Sequence, residues 1–471
     1  MINKKIILFP VLSMLLVSTN SCGKKMSDEE YFKNHFNPVV RFIVTSDAHI
    51  SSAASPDKDV GAKKLSKMYQ VANDYAKTQP FSTINHAFVV GDGSDDYSTN
   101  SMQKFWNITK EAESKYGIKT SAIMGNHEFA WQIEDPNPET AIANWKNVTN
   151  QELDFSFTIN GYHFIMFSLH NGNNSLYDDV NQSRWLEGEI QKALNDDSSK
   201  SKPIFVFQHV GVKDTCYGTA ANYMQTKDET LGKIPAQLIP KVLKKYPQVV
   251  DFSGHSHFPL TDPRAVMQTE FTSVATGTLD DVIVDLAGVC DNNIHALDKD
   301  GTGGYIYSIL PMRTSDDGNY FLICEADNAG ALKITPYNLE GNYAATPWLF
   351  RSFKSTADFK YTIARRNLDP RCEFQNVSIS VPEEIGMDFV RYSIPQAKYA
   401  QHYRCEIYEN GNYLKTVYRL CVHWFTDVSP IFTIPINSLK PNTNYQLKIA
   451  AVNSWGQETY DNYNLSFKTT R

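Results

Sequence analysis

The sequence predicts an α/β catalytic domain followed by an all-β sandwich. Three observations carry that expectation. From Val39 to about His257, short apolar runs alternate with stretches whose apolar residues recur at the helical period. Five short segments in that region bring residues able to hold metal ions to strand ends, where open α/β sheets gather their loops. Over the last hundred residues or so, the helical period vanishes and short alternating strands take over.

The strand candidates are Val39–Ser46, Ala87–Val90, Thr120–Met124, Ile204–Phe207 and Val249–Phe252. They are short, rich in β-branched and aromatic residues, and apolar on both faces, as strands covered on both sides must be. A further strand is expected at Phe164–Leu169. Between strands, Leu65, Met68, Tyr69, Ala72, Tyr75 and Ala76 fall on one helical face, and Trp185, Leu186, Ile190 and Leu194 mark another helix. Tyr320–Glu325 and Ala331–Pro336 read as paired strands around Asp327-Asn328-Ala329-Gly330, expected to complete a second sheet of the catalytic domain. Further on, Asn410-Gly411 between Tyr403–Tyr408 and Tyr413–Tyr418 is a hairpin turn signal.

The chain has 471 residues, enough for two or three units, and its 42% hydrophobic content supports a large core. A net charge of −7 offers no basic face, so binding to a nucleic-acid scaffold is not expected. Lys4 and Lys5 precede a short apolar stretch, Ile6 to Val17, and then Thr19-Asn20-Ser21-Cys22-Gly23. The stretch is too short to span a bilayer and reads as an export signal. A small residue before Cys22 resembles a lipoprotein cleavage site, with Cys22 lipidated and the protein anchored to a cell-envelope membrane. The polar segment after it reads as a tether. Of seven cysteines, none shows paired C-x-x-C spacing, so a thiolate metal site is not expected. Cys405 and Cys421 flank a strand hairpin and are candidates for a disulfide.

The chemistry lies in Asp47-Ala48-His49, Gly91-Asp92, Gly125-Asn126-His127-Glu128, His209 and Gly254-His255-Ser256-His257. Carboxylate, amide and imidazole donors form a set suited to Mn, Fe or Zn. Two divalent ions about 4 Å apart can clamp a phosphate and activate water. Alternation along an extended segment would put Asp47 and His49 on one face, and likewise His255 and His257. Asp92 is the natural bridge, being anionic with two oxygens.

Together these motifs resemble the calcineurin-like metallophosphoesterase family, over Arg41 to about His257. The resemblance implies an αββα sandwich. It implies that Asp47, His49, Asp92 and His257 hold one ion, and that Asp92, Asn126, His209 and His255 hold the other. It implies that His127 is not a ligand but faces the leaving oxygen or phosphate as the catalytic residue. Glu128 is expected to orient His127 or to be a solvated loop carboxylate. Purple acid phosphatases carry a tyrosine ligand three residues after the bridging Asp. Here that position is Asp95, which with Asp96 is a candidate to hydrogen-bond a ligating histidine. His86 reads as a cap. His170 and Asn171 are candidates for a supporting or substrate role. His35, His163, His295, His402 and His423 read as structural.

In the C-terminal region, Leu439-Lys440-Pro441-Asn442-Thr443-Asn444-Tyr445 leads into alternating Leu447, Ile449 and Ala451. This resembles a fibronectin type III module within the immunoglobulin-like sandwiches, with Tyr445 at its tyrosine corner. Trp424 and Trp455 are candidate binding or core aromatics. The expected organisation is a signal over residues 1–21, a tether over 22–36, the phosphoesterase domain over 37–365 and the β-sandwich over 370–471.

The function expected is an exported, lipid-anchored phosphohydrolase that cleaves phosphate esters with two metal ions. The lean is to diesters, because no arginine clamp for a dianionic phosphate is evident, though Arg264 or Arg313 could supply one. A phosphomonoesterase on the same site is one alternative. A surface binding lipoprotein with a relic metal site is another. Every candidate ligand precedes Thr261, so removal of the sandwich near Pro370 is expected to leave small-substrate hydrolysis largely intact.

Overall fold

Side chains of β1 (Pro38–Thr45) alternate between two hydrophobic cores, and that alternation sets the layers of the α/β region. The computed structural model describes residues 26–129, 137–170, 179–219, 238–280, 282–284, 312–314, 318–375, 382–420 and 431–471. Cys22 and the expected export signal, Asn171, Cys290, His295, Cys421, His423, Trp424 and the side chain of Arg313 lie outside that description.

The chain divides into two units, residues 1–36 and residues 37–471. In the first, the expected tether holds a short helix, α1 (Asp28–Asn34). The sequence explains it: Ser27 caps the helix by accepting from Glu30 N at 3.1 Å, and Asp28, Glu29 and Glu30 complement its dipole.

The second unit opens with β1, then α2 (Val60–Lys77), β2 (His86–Val90), α3 (Thr99–Tyr116), β3 (Thr120–Ile123) and α4 (Pro138–Thr149). It continues with β4 (Asp154–Ile159), β5 (Tyr162–Phe167), α5 (Asp179–Asp196), β6 (Ile204–Gln208), α6 (Leu238–Leu243) and β7 (Val249–Ser253). Next come β8 (Val266–Gln268), β9 (Thr272–Ala275), β10 (Val282–Val284), β11 (Met312–Thr314), β12 (Tyr320–Asp327) and β13 (Leu332–Asn338). Then follow β14 (Tyr343–Ala344), β15 (Trp348–Phe350) and α7 (Arg365–Leu368).

One sheet has the order β14-β13-β12-β1-β2-β3, with β15 also on β13; the other runs β4-β5-β6-β7-β9-β8. Strands β1, β2 and β3 are parallel, as are β5, β6, β7 and β9. The hairpin of β12 and β13 is present, but it extends the sheet of β1 instead of completing the other one. The reason is a buried ion pair: Arg41 of β1 donates to Glu325 of β12 from Nη2 at 2.6 Å and from Nε at 2.9 Å. An unpaired charge at either position would be costly.

The sheets pack face to face through phenylalanines. Phe42 meets Phe164 at 5.2 Å and Phe205 at 4.8 Å between ring centroids, and Phe88 stacks on Phe207 at 4.3 Å. Neighbouring Ile43 and Val89 instead join the core that contains α2 and α3 residues Leu65, Met68 and Phe105. Leu186 and Ile190 of α5 pack in that core with Ile165 and Val206 of the other sheet. The layers are therefore α, β, β, α, and β1, β2, β3, β6 and β7 all point their carboxyl ends at one edge.

The C-terminal region forms two antiparallel sheets around a third core. One holds β16 (Glu384–Ile385), β17 (Val390–Pro395) and β20 (Ile431–Ile436). The other has β18 (His402–Glu409) and β19 (Asn412–Leu420) beside β21 (Asn444–Val452) and β22 (Tyr463–Lys468). Asn410 and Gly411 both take positive φ, 50° and 88°, as the tight hairpin turn between β18 and β19 requires. Tyr445 is buried, and its hydroxyl accepts from Lys440 N at 2.9 Å. Cys405 is a free, buried thiol, as are Cys216, Cys324 and Cys372.

Asp251, in the middle of β7, is fully buried, and burial pushes its carboxyl up to about 7 even though Gln208 Nε2 donates to it at 2.7 Å. The folded state then binds this proton more tightly than the unfolded chain, whose carboxyl titrates near 3.8. The stabilisation is full below about pH 4 and is lost as pH rises through about 7. Burial works on His86 in the other sense, down to about 4, so its contribution is present above 6.5 and lost as pH falls through about 4. Asp251→Asn removes only the first effect. Its unfolding free energy relative to wild type should therefore be higher at pH 8 than at pH 4. Urea denaturation at both values checks this, and equal differences would contradict it.

Candidate metal centre

Each ligand candidate follows the last residue of a strand by one to four positions, where the chain turns sharply. Asp47, His49, Asp92, His255 and His257 have φ of 53°, 45°, 49°, 66° and 57°. Left-handed backbone at non-glycine residues costs about 1–3 kcal/mol each and persists only where the surroundings impose it. The Asp47–His49 and His255–His257 pairs therefore converge by left-handed turns and not by the alternation of an extended segment. The backbone is held there by hydrogen bonds: Asp47 N, His49 N and Ile50 N donate to the carbonyls of Gly91, Asp92 and Gly93 at 3.0–3.1 Å.

The side chains converge. Asp47, His49 and His257 each bring a ligand atom within 4.8 Å of the others, and so do Asp92, His209 and His255. A third such set, His49, Asp92 and His127, joins the two. His257 Nε2 is 3.2 Å from Asp47 Oδ1 and 3.0 Å from His49 Nε2. His209 Nε2 is 3.1 Å from Asp92 Oδ2 and 3.0 Å from Asn126 Oδ1. The other nitrogen of His209 donates to Val90 O at 2.8 Å, which turns Nε2 toward the cluster. All seven proposed ligands are thus in one place. The donor set of two carboxylates, four imidazoles and an amide fits two divalent ions.

Burial alone would raise the Asp47 and Asp92 carboxyls, but the imidazoles facing them prevail. His257 holds Asp47 below its usual range, and His209 and His127 hold Asp92 well below it. The reciprocal effect opposes burial at His209 and lifts it to about 9. Burial, then the neighbouring His209, push His255 down to about 3.

His127 stands beside the cluster. Its Nδ1 lies 3.1 Å from Asp95 Oδ1, and its ring is 4.3 Å from that of His49. Asp95 also lies 3.5 Å from His49 Nδ1, as the sequence suggested for a supporting carboxylate. Asp96 plays a different part: it accepts from Ser52 Oγ and Ser98 N, both at 2.8 Å, and so shapes the loop before α3.

Glu128 departs from both expectations. It is fully buried and bonds to neither His127 nor solvent. Its oxygens accept from Asp92 N at 3.0 Å, Ser94 N at 2.8 Å and Gly125 N at 2.7 Å. It clamps the two ligand loops together. Burial and the charge of Asp92 push its carboxyl up to about 7. The motif-based reading also missed Ser46, Thr276 and Thr278. Ser46 Oγ lies between Asp47 Oδ2 and Thr276 Oγ1, and Thr278 Oγ1 donates to Asp47 O at 3.0 Å. The glycines were a usable signal. A Cβ at Gly91 would lie 2.3 Å from His209 Nδ1, and one at Gly125 would lie 2.2 Å from Asp92 Oδ1, so only glycine lets these loops approach.

Among the described residues of the second unit, no other histidine belongs to these ligand groups. His170 Nε2 is 3.0 Å from Asp154, and His163 pairs with Asp196. His86 begins β2 and lies 2.9 Å from Ser121 Oγ. His402 is buried in the sandwich, and His35 caps α1.

Residues 40–259 match the model of the calcineurin-like phosphoesterase family. This stretch is similar to a calcineurin-like phosphoesterase domain. The family implies a dinuclear metal centre, which the donor set accommodates. Among solved structures, a purple acid phosphatase from yellow lupin seeds is similar at 11% identity and a TM-score of 0.40. That likeness covers 66% of this chain and 53% of the lupin protein, so this chain spans about half of that relative's length. PhoD is similar at 11% identity and TM-score 0.38, over 68% of this chain and 71% of its own. FN3tt is similar at 19% identity and TM-score 0.16, over 22% of this chain and 98% of its own. No curated protein matches the sequence significantly.

The phosphoesterase domain yields a direct test. Asp92 lies against both ligand groups, so Asp92→Ala should lower bound metal from about two ions per chain toward none. Elemental analysis of the purified protein measures this. Retention of one full equivalent would argue that Asp92 serves a single ion.

Proposed function

We propose that this protein is an exported metallophosphohydrolase that cleaves phosphodiesters and is anchored to a cell-envelope membrane by lipid on Cys22. The observation that carries the hydrolytic reading is the convergence of seven donor residues, from five strand ends, beside His127. Asp47, His49, Asp92 and His257 would hold one ion, and Asp92, Asn126, His209 and His255 the other. Such a pair supplies charge neutralisation for a phosphate and activation of water. His127 donates a proton to the leaving oxygen, and Asp95, bonded to its Nδ1, fixes the ring for that task.

Preference for diesters is supported by the fate of Arg264. It is buried, donates to Asp262 at 2.8 and 2.9 Å, and stacks on Tyr217, so it is not the clamp a dianionic monoester would use. A fibronectin type III-like identity for the C-terminal module is supported by its sheets of three and four strands and by the Tyr445–Lys440 bond. Lipid anchoring rests on the sequence around Cys22. Among the described residues, no helix is long and apolar enough to cross a membrane.

The deciding experiment loads residues Ser27–Arg471 with Mn, Fe or Zn and assays a panel of phosphomonoesters and phosphodiesters. Turnover confined to monoesters would overturn the diester reading, and none at all would overturn the hydrolase. In the active form, His127→Ala should keep its metals and lose roughly 10²–10⁴ in turnover. The loss should shrink for nitrophenyl esters, whose leaving group needs no proton. A loss uniform across leaving groups would assign His127 to charge stabilisation instead.

Cys22→Ser should release the protein from the membrane fraction or leave its signal uncleaved. Acyl chains anchor through buried methylenes, about 0.8 kcal/mol each. Failure of labelled palmitate to enter the wild-type protein would remove the anchor from this proposal.

A further inference from the structure

The loop that carries His255 and His257 does not end at the metal centre. It runs on through Phe258 and Leu260 into a buried polar knot, and the other side of that knot is the C-terminal sandwich. Asp262 and Arg264 form the knot's ion pair, with Arg264 Nε 2.8 Å from Asp262 Oδ1 and side-chain exposures of 2% and 0%. The guanidinium lies over the ring of Tyr217, 4.0 Å from its centroid. Tyr217 N donates to Arg264 O at 2.9 Å, and its ring packs on Phe258 with centroids 4.4 Å apart. Beside it, a Cβ at Gly218 would lie 2.6 Å from that of Ser256, the residue between the two histidines. Tyr217 and Gly218 thus press on the ligand loop from one side, and Asp262 and Arg264 fix its exit.

Two sandwich residues hold these groups. Ser454 Oγ donates to Asp262 Oδ2 at 2.9 Å, and Gln401 Nε2 donates to Tyr217 OH at 3.0 Å. All four partners are buried. The neighbouring Trp455 is 1% exposed and belongs to the core between the catalytic sheets, with Leu260 and Val266, not to the core of its own sandwich. The linker is fixed as well: Lys360 N and Tyr361 N donate to Gln268 Oε1 at 2.8 and 3.0 Å, and Arg365 donates to Val266 O at 2.6 Å. A spacer would need none of this. Buried hydrogen bonds between units set orientation as well as adhesion, because each is costly to leave unmade.

We propose that the sandwich is a positioning element of the metal centre, in which Ser454 and Gln401, through Asp262, Arg264 and Tyr217, set the loop that presents His255 and His257. This rests on the dinuclear reading of the site. It runs against the sequence-based expectation that the catalytic domain works unchanged without its C-terminal module. His255 and His257 are assigned to different ions, so both affinities respond. Outer partners of metal ligands typically contribute 10–100-fold to affinity. Because these residues act one step further out, the expected effect is at the lower end, about 10-fold.

The test uses the full chain with Ser454→Ala and Gln401→Met combined, and Co(II) as probe. Circular dichroism establishes that the variant is folded. Titration by equilibrium dialysis should show Co(II) bound about 10-fold more weakly, and the visible Co(II) bands should shift in position or intensity. Ser454→Thr, which keeps the hydroxyl, should restore most of the affinity in a Gln401 wild-type background. Should the double variant not fold, Tyr217→Phe removes only the hydroxyl that Gln401 reaches and should give a smaller shift of the same bands. A folded variant with wild-type affinity and wild-type bands overturns the proposal. Wild-type protein that binds Co(II) without hydrolysing any ester defeats the hydrolase reading alone, since affinity and bands still report on the sandwich. Wild-type protein that binds no Co(II) defeats the dinuclear reading and this inference with it.

Discussion

Two carboxylates, Asp47 and Asp92, lie buried within a few ångströms of four imidazoles, and the surrounding structure is arranged around the need to hold them there. Water would ordinarily solvate such groups, and taking them from it is among the largest penalties a fold can carry. Here the compensation is local and dense. Asp47 accepts from His255 N, and Asp92 accepts from His127 N. Glu128, itself buried, gathers three further amides from the adjoining loops. The left-handed turns at five of the ligands are what this crowding imposes on the backbone.

The two-sheet architecture makes the crowding possible. Parallel strands β1, β2 and β3 on one sheet and β6 and β7 on the other deliver their carboxyl ends to a shared edge. The phenylalanine layer between Phe42, Phe88, Phe164, Phe205 and Phe207 fixes the distance between sheets. Rigid strands below and constrained turns above hold the donors to the tolerance that metal binding needs. The core between the sheets is not filled by the catalytic domain alone, since Trp455 from the sandwich belongs to it.

Much of this was legible in the sequence, for identifiable reasons. The strands were readable because they are short and apolar, and the ligand segments because glycine and metal-binding residues recur together at strand ends. The turn at Asn410-Gly411 and the role of Tyr445 were readable because turn and corner chemistry is local. What stayed hidden depended on residues distant in sequence. Ser46 and Thr278 look like ordinary strand-end polar residues until the fold brings them to Asp47. Glu128 reads as an orienter of His127 or as a solvated loop carboxylate, because nothing nearby in sequence shows that three amides converge on it. The pairing of β12 with β1 was missed because its determinant, Arg41 with Glu325, spans most of the catalytic domain. Sequence alternation suggests an extended geometry for Asp47 and His49 because sequence does not display the sign of φ.

That last ion pair carries a consequence for assembly. Arg41 and Glu325 are 284 residues apart, so the strand that leads to the first ligand lacks its antiparallel neighbour until the chain has been made past β12. Contacts of such sequence separation are closed late, because the intervening chain must first lose its freedom. During synthesis, β1 and β2 can find each other early, yet one side of β1 stays an open edge, with the guanidinium of Arg41 beside it awaiting its carboxylate. The order of events is thereby written into the topology: the earliest ligands in the chain are among the last to be enclosed.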